Sequence, residues 1–163
     1  MKAKRMEEER PITERRITQR VFNYWLELCN GRDMPEESDI EPEALGKDWP
    51  NCFLLQTRDI EHINQFNFTY LGEGIIRGYE QAGLDPNNPF LVGPNAFYLA
   101  PHFHHVVVTH QPLIESSHFF ADDGTKILYR QCLLPMSSTP DRVEAVFGAM
   151  LFKVETAARP RRG

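Results

Sequence analysis

The sequence is short of cysteine: Cys29, Cys52 and Cys132 are the only three in 163 residues, and no CxxC pair is among them. That excludes a disulfide framework and a zinc ribbon, and it fits reduced thiols in a cytoplasmic protein. Long apolar runs are missing as well. No stretch approaches the ~18 residues of a membrane span, and the N-terminus is charged where a signal peptide needs an apolar core. The expectation is a soluble, cytoplasmic chain with no membrane partner. There is no excess of positive charge either: 18 Lys and Arg stand against 23 Asp and Glu, a net charge of −5, so no global field holds nucleic acid. Basic residues gather only at the ends, as Lys2, Lys4 and Arg5 and as Arg159, Arg161 and Arg162, where they read as solvated, disordered termini. Internal repeats and low-complexity segments are absent too.

What is present fits one domain with a modest extension, long enough to bury a core without staples. Thr13 can cap a helix in which Ile17, Val21, Trp25 and Leu28 recur at helical spacing, up to a stop at Asn30-Gly31. Phe22, Leu26 and Cys29 form a second apolar row beside the first. So wide a surface suits either the chain's own sheet alone or that sheet together with a second chain. The second case makes Ile17, Val21, Phe22, Trp25 and Leu28 candidates for a homodimer interface.

An acidic, Pro-interrupted loop from 33 to 41 precedes a short helix started by Pro42 and ended by Gly46. Residues 51–57 (NCFLLQT) read as a buried strand. Phe66, Phe68 and Tyr70 alternate with Asn67, Thr69 and Leu71 as a half-buried strand paired with it. A short helix over 72–82, a loop over 83–95 and a helix over 96–109 capped by Asn95 follow. Strands over 113–120 and 127–134 are joined through Asp122-Asp123-Gly124, a hairpin signal. The last strand spans 143–154, and Gly148 within it marks the close approach of a neighbouring backbone or ligand. Short connections make the last three strands antiparallel, with the preceding helices over one sheet face, which is an α+β domain.

Several phrases stand out in order along the chain: Tyr24-Trp25, then Asp39-Ile40-Glu41-Pro42-Glu43-Ala44-Leu45, then Trp49-Pro50-Asn51-Cys52-Phe53-Leu54-Leu55. They continue in Phe68-Thr69-Tyr70-Leu71-Gly72, Leu133-Leu134-Pro135-Met136 and Val143-Glu144-Ala145-Val146-Phe147-Gly148-Ala149. With the element order, they resemble the PAS domain, in particular bacterial stand-alone single-domain PAS-like proteins, over residues 20–154. The resemblance implies a five-stranded antiparallel sheet in the order 2-1-5-4-3, helices on one face over a cleft, and an N-terminal amphipathic helix. The chain then divides into a leader and helix over 1–31, a PAS-like domain over 32–154 and a disordered basic tail over 155–163. The resemblance also implies sensing or protein contact rather than turnover. No kinase, cyclase or DNA-binding domain is attached, so output is expected to pass through separate signalling proteins.

The stretch PHFHHVVVTH, residues 101–110, crowds His102, His104, His105 and His110 together. On a helix His102 and His105 share a side while His104 points elsewhere. With no Asp, Glu or Cys in the window, a zinc site lacks its remaining ligands. No metal or cofactor is expected. The resemblance supplies one alternative, haem held by His102 or His105, with Phe103 and Val107 against the macrocycle. Flavin photochemistry would need a cysteine beside Asn and Arg on the helix after the second strand, and Gly72-Glu73-Gly74-Ile75-Ile76-Arg77-Gly78 has none. Ser116-Ser117-His118 are successive strand residues that face opposite sides and cannot work as nucleophile and base. Turn chemistry accounts for Asp122 and Asp123. No catalytic residue is assigned.

Phe53, Phe68, Tyr70, Phe97, Phe103, Tyr129 and Phe147, with Leu55 and His105, are candidates to line a pocket for a small apolar or aromatic ligand, the tyrosines adding a polar handle. The alternative is that these rings fill the space between helices and sheet completely. The reading is therefore a non-enzymatic sensory or regulatory module that forms a homodimer and contacts separate signalling proteins. Its rival is a small-molecule enzyme or carrier of cone-shaped α+β fold resembling ketosteroid isomerase. That chemistry wants a buried carboxylate beside a Tyr donor, and Asp59 or Glu61 near Tyr70 is the nearest pairing.

Overall fold

The computed structural model describes residues 17–57, 67–81, 96–120 and 123–155. Thr13, Asp59, Glu61, Phe66, the 83–95 loop, Asn95, Asp122 and both basic ends lie outside these residues. Helix α1 occupies residues 17–29 and stops where Asn30 and Gly31 turn left-handed, with φ of 46° and 88°, a conformation that glycine adopts without strain. A 3-10 turn at Glu37–Asp39 leads to helix α2, Pro42–Leu45, with proline at its start, and to a second 3-10 turn, Gly46–Asn51. Strands β1 (Cys52–Gln56) and β2 (Asn67–Leu71) follow, then helices α3 (Glu73–Gln81) and α4 (Ala96–Thr109). Strands β3 (Leu113–Phe120), β4 (Lys126–Met136) and β5 (Ala145–Val154) complete the fold.

All five strands pair antiparallel in the order β2-β1-β5-β4-β3. The last strand is therefore central, and its long pairing with β4, from Ile127 opposite Val154 to Met136 opposite Ala145, is the spine of the sheet. Strand alternation divides the side chains between two faces. Phe53, Leu55, Ile127, Tyr129, Leu133, Val146 and Met150 point to the face covered by α3 and α4, where Ile75, Tyr79, Phe103 and Val106 meet them. Leu54, Cys132, Leu134, Phe147 and Ala149 point to the other face, where Ile17, Val21 and Trp25 of α1 lie.

Helix α1 is thus part of the core rather than an appendage. Ile17, Val21 and Trp25 are 6%, 0% and 4% exposed, and each such burial is worth roughly 1.5–3 kcal/mol. Polar bonds fix the helix at three points. Arg20 grips the buried Asp48 in a two-pronged bond of 2.6 and 2.7 Å, the Tyr24 hydroxyl accepts from the Glu41 N–H, and Trp25 reaches β4. The proposed dimer contacts are corrected accordingly. Ile17, Val21 and Trp25 are spent on the chain's own sheet, while Phe22 and Leu28 are half-buried and Leu26 is exposed.

The expected alternation in the second strand also needs correction. Leu54 pairs with Tyr70 but the next residue, Leu55, pairs with Phe68. Thr69 is an extra residue without a partner on β1, and such a bulge reverses which side the following residues face. Phe68 therefore packs among the α3/α4-side core, whereas Tyr70 lies on the α1 side, stacked on Trp49 at 4.1 Å between ring centres and donating its hydroxyl to the Trp49 carbonyl. At Gly148 the close neighbours are backbone and core: an added Cβ would run into the Cys132 carbonyl and come within 2.9 Å of the Phe53 ring.

Candidate functional site

The α3/α4 side of the sheet is lined with rings in mutual contact. Phe53 meets Phe68 at 6.1 Å and Phe103 at 5.7 Å, and Phe119 meets Tyr129 at 6.0 Å and Phe152 at 6.4 Å. These edge-to-face and tilted arrangements are favourable for aromatic quadrupoles. Of the pocket candidates, Phe53, Phe68, Phe103 and Tyr129 come together here. Tyr70 and Phe147 do not, since they belong to the α1-side cluster. His105 does not either, because its side chain is exposed on α4. The side chain of Phe97 lies outside the described residues.

A polar cluster sits beside those rings. On β4 the residues facing the helices are Ile127, Tyr129, Gln131 and Leu133, so the register drives Gln131 into the core at 0% exposure. Its amide nitrogen donates to Glu115 at 2.6 Å, across the β3–β4 pair. The same carboxylate oxygen lies 3.5 Å from the Tyr129 hydroxyl and 3.3 Å from Nδ1 of His102. Burial, and next the charge of Glu115, push the Tyr129 hydroxyl up to about 12, so it stays a protonated donor. The amide oxygen of Gln131 is buried with no hydrogen-bond partner. A buried carbonyl left unpaired costs free energy, and this one can accept from a small molecule carrying an N–H or O–H. Gln131 and Glu115 were not singled out from the sequence. The signal was available in the parity of Tyr129, Gln131 and Leu133, which puts an amide among inward apolar residues.

The histidines separate as helix geometry requires. Phe103 and Val106 take the buried stripe of α4, His102 is half-buried beside Glu115, and His104 and His105 are exposed. The Phe103 ring is in contact with Phe53, and His105 does not face the interior. Among the described residues no three His, Cys, Asp or Glu converge to hold a metal ion. Ser117 faces the helices opposite Tyr129, while Ser116 and His118 face the other way, opposite Arg130 and Leu128, so Ser117 and His118 do not meet. Asp123 accepts from the Thr125 N–H as a turn residue. The three thiols are buried and unpaired, and burial raises their pKa, that of Cys132 to about 12. They are held as thiols, not nucleophiles.

The α1 side offers a second surface. Helix α1 covers β1, β5 and the end of β4, but not the β3–β4 end of the sheet. There Ile114 and Phe120 are 44% and 55% exposed. Beside them lies an open groove of about 290 Å³, lined by Ser116, His118, Leu128, Arg130, Leu151 and Lys153. The Arg130 Nε is buried without a hydrogen-bond partner. Neither Arg130 nor Lys153 has an ion-pair partner among the described residues.

Residues 13–71, which hold α1, the acidic segment, β1 and β2, match the PAS domain family. Over that stretch the chain is similar to the PAS domain family. The sheet order 2-1-5-4-3 is the order that the resemblance to the PAS domain implies. A solved structure described as a fungal LOV domain photoreceptor is similar over 61% of this chain and 71% of its own, with 16% identity and a TM-score of 0.38. At that level the similarity carries no argument about light, flavin or stress. No curated protein matches the sequence. The family match ends at residue 71, so the Gln131 cluster and the Arg130 groove of this chain lie beyond it. No helix among its described residues is long and apolar enough to cross a membrane.

Proposed function

We propose that this chain is a non-enzymatic sensory or regulatory module of bacterial signalling, cytoplasmic, acting as a homodimer and through separate signalling proteins. The observation that carries this reading is the uncovered β3–β4 face. Ile114 and Phe120 on β3, and Leu26 on α1, leave large apolar side chains in water, and exposed apolar surface of this kind marks a contact surface. Sedimentation velocity over a range of concentrations tests it. The wild-type chain is expected to associate, and Ile114→Ser with Phe120→Ser to remain monomeric with an unchanged circular dichroism spectrum. A wild-type chain that stays monomeric at every concentration removes the homodimer.

A small aromatic ligand bearing a hydrogen-bond donor is the second part of the proposal, carried by the unpartnered Gln131 amide oxygen beside Glu115 and Tyr129. Native mass spectrometry of freshly purified protein is expected to show a bound small molecule that is lost in Gln131→Leu. A bare mass in the wild type would set the ligand aside without touching the contact surface. The Glu115–Tyr129 pair is also the nearest thing to the carboxylate and Tyr donor of the rival isomerase reading. Turnover of apolar carbonyl compounds that disappears in Glu115→Gln would revive it.

A further inference from the structure

We infer that the contact face is self-complementary, with the acidic segment Glu41-Pro42-Glu43 of one copy seated on the Arg130/Lys153 groove of a second copy. The inference rests on the homodimer reading and gives that interface its chemistry. Across the α1 side of the sheet, charge is laid out in three strips. Over β2 and β1 lies the segment that runs into α2 and Trp49, anchored by Trp49 on Tyr70 and by the bond from Gln56 to Glu37. Along the middle runs α1. Over β4 and β3 lies the groove. Arg130 stands opposite Leu151 and Leu128 opposite Lys153, so the two cations are diagonal neighbours on one face, within reach of a single pair of carboxylates.

The acids are available in the same way. Arg32 takes Glu36 and Asp39, and Gln56 takes Glu37. Glu41 and Glu43 are exposed and have no ion-pair partner among the described residues. Glu41 is held in place through its N–H on Tyr24, so the acids are presented by an ordered segment. In a two-fold dimer the same patch serves both copies. A two-fold axis in the interface, midway between the acidic segment and the groove, carries the acidic strip of one copy over the groove of the other. Each Glu41/Glu43 pair then meets the Arg130/Lys153 pair of the other copy, so the contact is made twice in the dimer, and Ile114 and Phe120 are covered. An axis across the strands would set acid on acid and is disfavoured by like-charge repulsion.

Charge reversal with mixing tests the arrangement, read by sedimentation velocity on the full chain. Arg130→Glu with Lys153→Glu, and separately Glu41→Lys with Glu43→Lys, are each expected to weaken self-association at least tenfold. Each should keep the wild-type circular dichroism spectrum and urea midpoint. Mixed one to one, the two variants are expected to form a heterodimer, because both contacts are again of opposite sign. All four substitutions in one chain are expected to restore the homodimer. Arg130→Gln with Lys153→Gln provides a milder pair should the reversal disturb folding. Variants that associate like wild type, or a mixture that stays monomeric, overturn the inference. If the charge variants are indifferent while Ile114→Ser with Phe120→Ser is monomeric, the contact face stands and only the acid-on-groove pairing falls. A monomeric wild type that binds an acidic peptide through Arg130 would assign the groove to a separate protein and overturn the second-copy inference.

Discussion

The indole N–H of Trp25 donates a 2.9 Å hydrogen bond to the carbonyl of Pro135. Strand β3 begins opposite Leu133, so Pro135 lies past its end, where a proline costs no ladder bond on that side and its carbonyl is free for α1. The bond ties the N-terminal helix to the central hairpin. Trp25→Phe keeps most of the packing and leaves that carbonyl unpaired, which is expected to cost about 1–3 kcal/mol in urea denaturation. Trp25→Ala adds a cavity and is expected to cost about 3–5 kcal/mol. Removal of α1 exposes the whole Leu54–Phe147 face and is expected to abolish cooperative unfolding, so dimerisation must be probed by surface substitutions and not by truncation.

Gly148 and Gly78 make a paired test of close packing. A Cβ at Gly148 collides with the Cys132 backbone, which is shared by two strand pairings and cannot move aside. Gly148→Ala is expected to lose at least about 3 kcal/mol, at the upper end of overpacking effects. At Gly78, inside α3, a Cβ meets only the Phe152 ring at 3.5 Å. Gly78→Ala is expected to gain roughly 0.5–1 kcal/mol from helix propensity. Equal urea midpoints for the two variants would contradict the packing described.

The sheet and its order were legible because the signals are local or carried by resemblance. These are the apolar run at Cys52–Leu55, the Asp-Gly turn before β4, and the phrases from Tyr24-Trp25 to Val143–Ala149. The stop of α1 at Asn30-Gly31 was legible for the same reason. The sharing of side chains between faces was not. Alternation assigns Phe68 and Tyr70 to one face, and only the register with Leu54 and Leu55 reveals that Thr69 is inserted between them. The wide stripe of α1 left its partner open, since a sheet and a second chain present the same apolar surface. Glu115 and Gln131 are 16 residues apart in the chain, and they meet only because β3 and β4 pair. A polar pair made by tertiary register has no signature within a window of sequence.

The buried thiols predict an alkaline loss of stability. Burial raises Cys132 to about 12, and raises Cys52 as well, reinforced by Cys132 and Asp48. Unfolded thiols titrate near pH 8.5. Above that pH the unfolded chain releases protons that the folded chain keeps, so stability is intact below about pH 8.5 and falls as pH rises, by up to about 1.4 kcal/mol per pH unit for each thiol. Urea midpoints between about pH 8.5 and pH 10 should drop accordingly, and Cys52→Ala with Cys132→Ala should flatten the curve. A flat wild-type curve would mean that the thiols are reached by water.

The bulge at Thr69 is testable through Trp49. The chain has two tryptophans, so Trp25→Phe leaves Trp49 as the sole indole fluorophore. Tyr70 stacks on that ring at 4.1 Å with planes 8° apart, whereas Phe68 packs edge-on against Phe53 across the sheet. In the Trp25→Phe background, Tyr70→Leu removes the stack and is expected to shift Trp49 emission to the red as the indole meets water. Phe68→Leu deletes a ring of similar size from the next paired position and is expected to leave that emission unchanged while lowering the urea midpoint. Were Phe68 and Tyr70 on one face, as plain alternation requires, the two substitutions would act on Trp49 alike. The difference between the two spectra therefore reports the extra residue directly.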